Sequence, residues 1–216
     1  MNTILADMEH ELYRIYDNLN KDYYDGKLPD IIITIQGSHK NKYYGWFGEK
    51  KWNNGVNFVD MNETENPLIV YHEINISAEH LDRPIEDIVG TMQHEMIHLY
   101  CNINQIKDTS NNHVYHNKKF KEEAEKRGLI IEKAKTIGWS VTTPNETFKE
   151  YIKKLNVNSD VFKFCRVKEE PKAADSVKKM ITYKCPNCGI SATAKPDINI
   201  MCGNCNIKMI PKEKKE

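Results

Sequence analysis

The chain has 216 residues, of which 39% are hydrophobic, and its 31 lysines and arginines balance 31 aspartates and glutamates at pH 7. This length and composition suit one domain with a buried core and a small second module. No apolar run reaches the roughly 18 residues that a membrane-spanning helix needs, and the first residues lack the basic start and apolar core of a signal peptide. We therefore expect a cytoplasmic protein that does not enter a membrane.

The first third of the chain predicts one helix followed by short strands. A helical repeat of apolar residues runs from about residue 5 to 25 and ends at Asp25-Gly26. Apolar runs then predict four strands, at 31–35, 43–47, 56–59 and 71–76. Five aromatic side chains near the second strand could line a substrate cleft or stack on unpaired bases, although such residues more often pack in the core or on an edge strand: Tyr43, Tyr44, Trp46, Phe47 and Trp52.

The segment 84–103 predicts the next helix. Its apolar residues recur every three or four positions, which produces one buried stripe. Pro84 suits the first helical turn, and Asp82 or Arg83 would then be the cap. The second half of this helix contains the most informative motif of the chain.

That motif is His94-Glu95-Met96-Ile97-His98. Positions i and i+4 of a helix lie on the same face, so His94 and His98 can bind one Zn²⁺ together. Glu95 lies beside the first histidine, where its carboxylate can take a proton from a water molecule that the metal activates. The motif predicts a metal-dependent hydrolase, most often a peptidase, with Glu95 as the catalytic base.

A catalytic zinc ion usually has three protein ligands, so a third must come from elsewhere in the chain. His116 begins a segment that predicts a short helix, in which Phe120 would pack and hold the ligand firmly. His113 lies in a polar run that is typical of a loop, and it would be less well positioned. Glu122 or Glu123 remains an alternative on spacing alone. We favour His116.

The remaining elements follow in chain order. A loop is predicted at 104–115, before the short helix, and Gly128 ends that helix. A strand is predicted at 138–142, and Pro144 begins a helix that continues to Leu155.

The C-terminal segment contains two Cys-x-x-Cys pairs separated by thirteen residues. This spacing predicts a structural zinc site in a ribbon-type module, with four ligands: Cys185, Cys188, Cys202 and Cys205. Disulfides are disfavoured, because a chain without a secretion signal stays where thiols are reduced. Cys101 and Cys165 are predicted to be ordinary buried thiols.

Several segments taken together match the pattern of one known family. They are Leu12–Pro29 with its Leu-Pro end, Gly45-Trp46-Phe47, Ile74–Ser77, the motif at 94–98, and His116 with Phe120 four residues later. With these segments the chain resembles the SprT-like, or Spartan-type, zinc metalloproteases over residues 8–155 and in its C-terminal zinc module. One departure is Asn117, where the family often has glycine after the histidine.

The resemblance implies an α+β, zincin-like fold in which a small sheet packs on helices. We expect a protease domain at 1–160, a linker at 161–180 and a zinc ribbon with four cysteine ligands at 181–212. One catalytic zinc ion would be held by His94, His98 and His116, and one structural zinc ion by the four cysteines. The implied substrate is a polypeptide bound or crosslinked to DNA.

The net charge of zero conceals an asymmetry. Residues 161–216 contain 12 basic and 6 acidic residues, so they carry +6, and residues 1–160 carry −6. A basic module is typical of a polyanion-binding appendage, although a solvated tail has the same composition. Since related proteases engage DNA through such a module, we expect DNA binding without sequence preference. Two alternatives stay open: a plain intracellular peptidase whose ribbon contacts protein, and a DNA-binding accessory factor with little turnover.

Overall fold

The computed structural model describes residues 3–38, 43–55, 68–111, 114–167 and 180–212. The predicted strand at 56–59 and the alternative ligand His113 lie outside these residues. The chain forms two compact units, Met1–Lys168 and Glu169–Glu216. Small sheets occur in both, and the described part of the first unit contains four α-helices, so the α+β class is as predicted. No described helix is long and apolar enough to cross a membrane.

The helices are α1 (Ile4–Tyr24), α2 (Ile85–Ile103), α3 (Lys118–Lys126) and α4 (Glu146–Leu155). The chain leaves α1 through Asp25 and Gly26, whose φ angles of 57° and 68° are left-handed, as the sequence predicts for a helix end. Asn117 and Asn145 begin α3 and α4, because their side-chain oxygens accept hydrogen bonds from N–H groups of the first turn.

Two prolines lie outside the helices that they were predicted to begin. Pro84 has an extended ψ of 143° and is the residue before α2, so the predicted cap at Asp82 or Arg83 is wrong. The Pro84 carbonyl oxygen already accepts the N–H group of Asp87, which makes Pro84 itself the cap. Pro144 is the last residue of a strand, and α4 begins two residues later.

The first sheet consists of β1 (Ile31–Gln36), β2 (Gly45–Asn53) and β3 (Val70–Ser77), with β3 in the middle. β1 is parallel to β3 and β2 is antiparallel to it, so β2 is an edge strand. Side chains of a strand alternate between faces, and one face of this sheet contributes four buried isoleucines: Ile31, Ile33, Ile74 and Ile76. β2 extends to Asn53, well past the predicted end at Phe47.

The second sheet consists of β4 (Thr109–Ser110), β5 (Tyr115–His116), β6 (Leu129–Ala134) and β7 (Gly138–Pro144), in the order β4-β5-β7-β6. β4 and the first residue of β5 lie in the predicted loop, and β6 was absent from the prediction. Strands of two residues are too short for an alternation of apolar and polar side chains, so the sequence does not reveal them. β5 is parallel to β7 and places His116 opposite Gly138.

α2 lies at the centre of the first unit, in contact with β2, β3, β7 and the other three helices. Its apolar stripe is fully buried: Ile88, Val89, Met92, Met96 and Ile97. Cys101 on the same helix is buried, as predicted. The His-Glu-Met-Ile-His segment is therefore held by elements of both sheets.

The first unit continues past residue 160, so the beginning of the predicted linker lies within it. The side chain of Phe162 is buried in the core, and the Arg166 N–H group donates to the carbonyl oxygen of Ala78 at 2.8 Å. Cys165 is exposed, so the prediction of a buried thiol is wrong there. The chain is extended after the 3-10 turn Ser159–Lys163, and residues 164–167 face solvent.

The second unit contains β8 (Ile181–Lys184), β9 (Ser191–Ala194), β10 (Met201–Cys202), β11 (Ile207–Lys208) and β12 (Ile210–Pro211). One sheet has the order β12-β8-β9, and β10 pairs with β11 in the other. Its buried cluster is small: Tyr183, Cys185, Cys202 and Met209. A core of this size rarely stabilises a fold alone, and modules of this kind gain stability from a metal ion.

Candidate metal centre

Three histidine side chains converge beside α2. The Nε2 atoms of His94 and His98 are 3.2 Å apart, and the Nε2 atom of His116 lies 3.2 Å and 3.1 Å from them. A tetrahedral zinc ion with Zn–N bonds of about 2.0–2.1 Å separates its ligand atoms by roughly 3.3–3.4 Å. The three nitrogens therefore have the spacing of one face of a tetrahedral site, and together they could hold a metal ion.

The second ring nitrogens of His98 and His116 each face a pure acceptor. His98 Nδ1 lies 2.5 Å from a carboxylate oxygen of Asp108. His116 Nδ1 lies 3.4 Å from the carbonyl oxygen of Ile137. Neither partner can donate, so each histidine carries its proton on Nδ1 and leaves the Nε2 lone pair free.

The partner of His94 is a hydroxyl group, and the other hydrogen bond of that hydroxyl decides its role. Thr142 Oγ1 donates to the carbonyl oxygen of Ser140 at 3.2 Å. It therefore accepts from His94 Nδ1, which is 2.8 Å away. All three rings then direct an unprotonated Nε2 atom to one point, in the tautomer that a metal ligand requires.

The Phe120 ring of α3 packs against all three histidine rings. Its ring centroid lies 4.6 Å from those of His94 and His116 and 4.7 Å from that of His98. The Phe120 side chain is fully buried. The sequence predicts that Phe120 holds His116, and the contact extends to both histidines of α2.

Burial favours the neutral form of His94 and His116. Desolvation, followed by the neighbouring His98, lowers the pKa of His94 well below its usual value of 6.5. The same two causes lower the pKa of His116 to about 4. Neutral imidazole is the form that binds metal ions, so the site is ready for a metal at neutral pH.

Glu95 faces the edge strand β2. The residue is only 5% exposed, and its carboxyl group lies against the backbone of β2 near the Phe47 N–H group. Burial raises the pKa of the Glu95 carboxyl group to about 7, against the opposing effects of His98 and the Phe47 N–H group. A carboxyl group with this pKa can take up and release a proton near neutral pH.

Two glycines permit close backbone approaches at the site. A Cβ atom on Gly45 would lie 2.7 Å from the Asn75 carbonyl oxygen and 2.9 Å from Thr91 Cγ2, so glycine lets β2 lie directly against α2. Gly138 has a φ of 74°, and a Cβ atom there would overlap the His116 carbonyl oxygen. Gly138 therefore fixes the position of the third histidine.

The acidic alternatives to His116 are not part of the histidine group. Glu123 forms ion pairs with Lys126 and Arg127, at 2.7 Å and 2.6 Å. Glu122 is exposed. Neither carboxylate joins the converging nitrogens, so the structure brings His116 to the motif and leaves both glutamates elsewhere.

The partners of the histidine Nδ1 atoms were missed by sequence reasoning. Asp108 lies in a polar run typical of a loop, and Thr142 lies in a strand. Neither stands at a sequence distance from the histidines that forms a recognisable motif. The Ile137 carbonyl oxygen belongs to the backbone and leaves no trace in the sequence. Only Asp108 could have been predicted from the sequence. It follows His98 by ten residues, so a loop can bring its carboxylate back to the ligand.

The four cysteines of the second unit form a separate group. Their sulfur atoms lie within 4.8 Å of one another, and Cys188 Sγ is 3.5 Å from Cys202 Sγ. A tetrahedral zinc ion with Zn–S bonds of about 2.3 Å separates its sulfur ligands by roughly 3.8 Å. Backbone N–H groups of Cys188 and Asn187 lower the pKa of the Cys185 thiol, which favours the thiolate that binds metal. The cluster suggests the C-terminal zinc ribbon.

Comparison with known proteins gives one match. The sequence profile of the SprT-like family matches residues 12–136, which include most of α1, the first sheet, the three histidines and α3. No curated protein and no solved structure matches the chain. The matched region covers more than half of the chain and contains most of the segments on which the resemblance rests. The chain belongs to the SprT-like family.

Proposed function

We propose that the chain is a zinc-dependent metallopeptidase, with a zincin-like core in residues 1–160 and Glu95 as its catalytic base. The convergence of three imidazole nitrogens beside a buried carboxylate carries this proposal. Metal binding alone needs only the histidines, whereas metal-assisted hydrolysis also needs a proton acceptor at the same place. Membership in the SprT-like family supports the same conclusion.

The histidines and Glu95 would have different roles in hydrolysis. When bound, a zinc ion supplies a Lewis acid that polarises the scissile carbonyl and makes water more acidic. His94, His98 and His116 would hold it through their unprotonated Nε2 atoms. Glu95 would take a proton from the attacking water and deliver it to the leaving amine.

The edge strand β2 supports a polypeptide as the substrate. Among the described strands β2 pairs only with β3, so its outer row of backbone groups lies beside Glu95 without a strand partner. An extended peptide can add to such an edge through main-chain hydrogen bonds. Of the five aromatic residues near β2, three are well exposed and available to a substrate: Tyr43 at 57%, Tyr44 at 55% and Trp52 at 44%.

For the second unit we propose a structural zinc ribbon, in residues 181–212, that helps to bind DNA. Binding would lack sequence preference, since lysine–phosphate contacts carry no base information. DNA-associated proteins would then be the substrates. Five lysines in and beside the ribbon could neutralise phosphates: Lys178, Lys179, Lys184, Lys195 and Lys208. A zinc site with thiolate ligands suits a reducing compartment, so we propose a cytoplasmic location.

The charge of the ribbon itself limits this contribution. Residues 180–212 contain four lysines and one aspartate, a net charge of +3. Four thiolates and one Zn²⁺ together add about −2, which leaves about +1 on the metal-loaded ribbon. Residues 161–179 contain six basic and three acidic residues, so the segment before the ribbon carries +3. Much of the affinity for DNA would then come from that segment.

A protein partner for the ribbon is the second candidate. Several apolar side chains of the ribbon are between 40% and 55% exposed: Ile190, Ile198, Met201, Ile207 and Ile210. So many exposed apolar groups on a small unit are typical of a contact surface. DNA binding predicts an affinity that falls steeply with salt, whereas an apolar contact predicts an affinity that depends little on salt.

Cleavage of a DNA-binding protein by the zinc-loaded full chain, with and without single-stranded DNA, tests the proposal. We expect cleavage, and more of it with DNA. Glu95→Gln should reduce the rate by more than about 100-fold while metal content and folding stay unchanged, because only the proton acceptor is lost. Glu86→Gln on the same helix is the matched control. Cleavage by Glu95→Gln at the wild-type rate would overturn the role of Glu95.

A further inference from the structure

Arg83 precedes α2, and its side chain connects the segment before the helix to the helix itself. Its Nε atom donates to the His80 carbonyl oxygen at 2.9 Å, and its Nη2 atom donates to Thr91 Oγ1 at 3.0 Å. Thr91 Oγ1 in turn donates to the Asp87 carbonyl oxygen at 2.9 Å. These bonds fix the guanidinium group on the surface of α2 instead of leaving it free in solvent.

Tyr44 covers one face of this guanidinium group. The Arg83 Cζ atom lies 4.1 Å from the centroid of the Tyr44 ring, which is 55% exposed. No carboxylate among the described residues is within ion-pair distance of Arg83, and its Nη1 atom donates to none of them. Burial lowers the pKa of the Arg83 guanidinium, because its charge has lost part of its hydration, against the weaker opposing effects of Asp87, Tyr44 and Asp82.

The position of Arg83 relative to Glu95 follows from Gly45. A Cβ atom on Gly45 would touch both Thr91 Cγ2 and Glu95 Cγ, at 2.9 Å and 3.3 Å. Thr91 and Glu95 are therefore neighbours on the face of α2 that meets β2, four residues or about 6 Å of helical rise apart. We call the line of contact between α2 and β2 from Glu95 to Thr91 the α2–β2 seam. Arg83 donates to Thr91, so its charge lies at the Thr91 end of this seam.

We propose that Arg83, stacked on Tyr44, is a specificity subsite that binds a carboxylate of the peptide substrate, about two residues from the scissile bond. This inference rests on the proposed peptidase function. An extended peptide advances about 3.3 Å per residue, so a peptide on the edge of β2 that no described strand covers passes from Glu95 to Thr91, which Arg83 contacts, in about two residues. The Nη1 donors, which no described residue accepts, supply the charge-assisted hydrogen bonds that a carboxylate accepts.

The carboxylate has two chemical sources, an acidic side chain and the C-terminus of a short substrate. Paired peptides distinguish them. One series places Glu or Gln at each of the three positions on either side of the cleaved bond. A second series ends two residues after that bond, with either a free or an amidated C-terminus. The enzymes are the zinc-loaded full chain and its Arg83→Gln, Arg83→Lys and Arg83→Glu variants.

We expect the wild-type chain to cleave one carboxylate-bearing peptide with a kcat/KM roughly tenfold above its uncharged pair, the size of one charge-assisted hydrogen bond. Arg83→Gln should remove this preference, Arg83→Lys should keep part of it, and Arg83→Glu should favour a Lys peptide at the same position. A subsite role changes the ratio of kcat/KM between the charged and uncharged peptides, whereas a purely structural role of Arg83 would lower both values equally and leave their ratio as in the wild type. Lys163→Gln is the control for general electrostatics, because Lys163 lines a cavity of 260 Å³ together with Arg83 but is not on the seam.

Each outcome bears on the inference. Equal cleavage of charged and uncharged peptides by the wild-type chain overturns the subsite and leaves the peptidase proposal intact. A preference that survives in Arg83→Gln, or that Lys163→Gln removes equally, overturns the assignment to Arg83. Cleavage of no peptide by the zinc-loaded wild-type chain overturns the peptidase proposal and the subsite with it. The wild-type comparison needs no variant, so the inference can fail even where a variant does not fold.

Discussion

At the scale of single residues, the hydrogen-bond acceptors behind the histidines decide what the histidines can do. Asp108, Thr142 and the Ile137 carbonyl oxygen each accept the Nδ1 proton of one ring. A histidine without such a partner can rotate or switch tautomer, and its Nε2 lone pair then points elsewhere. The three acceptors therefore contribute to metal affinity although none of them contacts the metal position.

Asp108→Asn tests this contribution. The asparagine amide can still contact His98, but it loses the charge that fixes the Nδ1 proton. We expect zinc affinity to fall about 10-fold to 100-fold with the fold unchanged. Competition with a chelator of known affinity measures the loss, and Asp7→Asn on the exposed face of α1 is the control. An unchanged affinity would mean that Asp108 has no part in holding His98.

The lowered pKa of His116 has a consequence for the stability of the metal-free protein. His116 has a pKa of about 4 when folded and about 6.5 when unfolded, because burial and His98 disfavour its charged form. Between these values the unfolded chain binds more protons, so the free energy of unfolding falls as the pH is lowered through this window. The raised pKa of Glu95, about 7, acts in the opposite direction over pH 4.5–7.

A comparison of the wild-type chain with His116→Gln isolates the contribution of His116 to the pH dependence of stability. The zinc-stripped wild-type chain and His116→Gln should show different slopes of unfolding free energy against pH between about 4 and 6.5, with the wild type rising more steeply. Urea denaturation at several pH values measures both slopes, and Glu95 contributes equally to each. Identical slopes would contradict the lowered pKa.

At the scale of elements, the third ligand depends on β5, a strand of two residues. β5 holds His116 against β7, and Gly138 is the residue opposite. Such a short strand has little stability of its own, so its position comes from pairing with β7 and from the cap at Asn117. The departure from the family pattern at Asn117 has a clear physical role, because Asn is among the best N-cap residues.

Gly138→Ala should therefore damage both stability and metal binding. A side chain at φ 74° costs about 1–3 kcal/mol, and its overlap with the His116 carbonyl oxygen forces β5 away from β7. Gly26→Ala is the matched control, since Gly26 has a φ of 68° with no atom within 4 Å of the added Cβ. We expect thermal unfolding to show a loss in both variants and zinc titration to show a loss only in Gly138→Ala. Equal zinc affinity in the two would contradict the role of Gly138.

At the scale of the whole molecule, two metal groups lie in two different units. The full chain should bind two zinc ions, and a chain that ends at Glu170 should bind one, because it keeps the three histidines and loses the four cysteines. Elemental analysis after gel filtration measures both values. His116→Ala should also bind one. Two equivalents in the shortened chain would contradict the assignment of ligands.

The same shortening tests how DNA is bound. A chain that ends at Glu170 should lose most of its affinity for single-stranded DNA and keep peptidase activity. A chain that ends at Met180 keeps Lys178 and Lys179 and should recover part of the affinity, since the metal-loaded ribbon adds only about +1. Fluorescence titrations at several salt concentrations compare the three chains. If all bind DNA equally, the ribbon is not the nucleic-acid module, and a protein partner becomes the better proposal.

The sequence by itself determined the features that local spacing encodes. Helical periodicity located α2, the i and i+4 positions paired His94 with His98, and the two Cys-x-x-Cys pairs predicted the four clustered cysteines. The end of α1 at Asp25-Gly26 was equally local, because left-handed residues end helices. These predictions succeed because each depends on residues only a few positions apart.

Tertiary structure alone decided the features that distant residues create together. His116 reaches the motif only because β5 pairs with β7, and Thr142 accepts from His94 across 48 positions of the chain. The exposed side chain of Cys165 and the placement of Arg83 beside Tyr44 depend in the same way on contacts between separate segments. Strand pairing and side-chain burial are non-local, so no spacing in the sequence reports them.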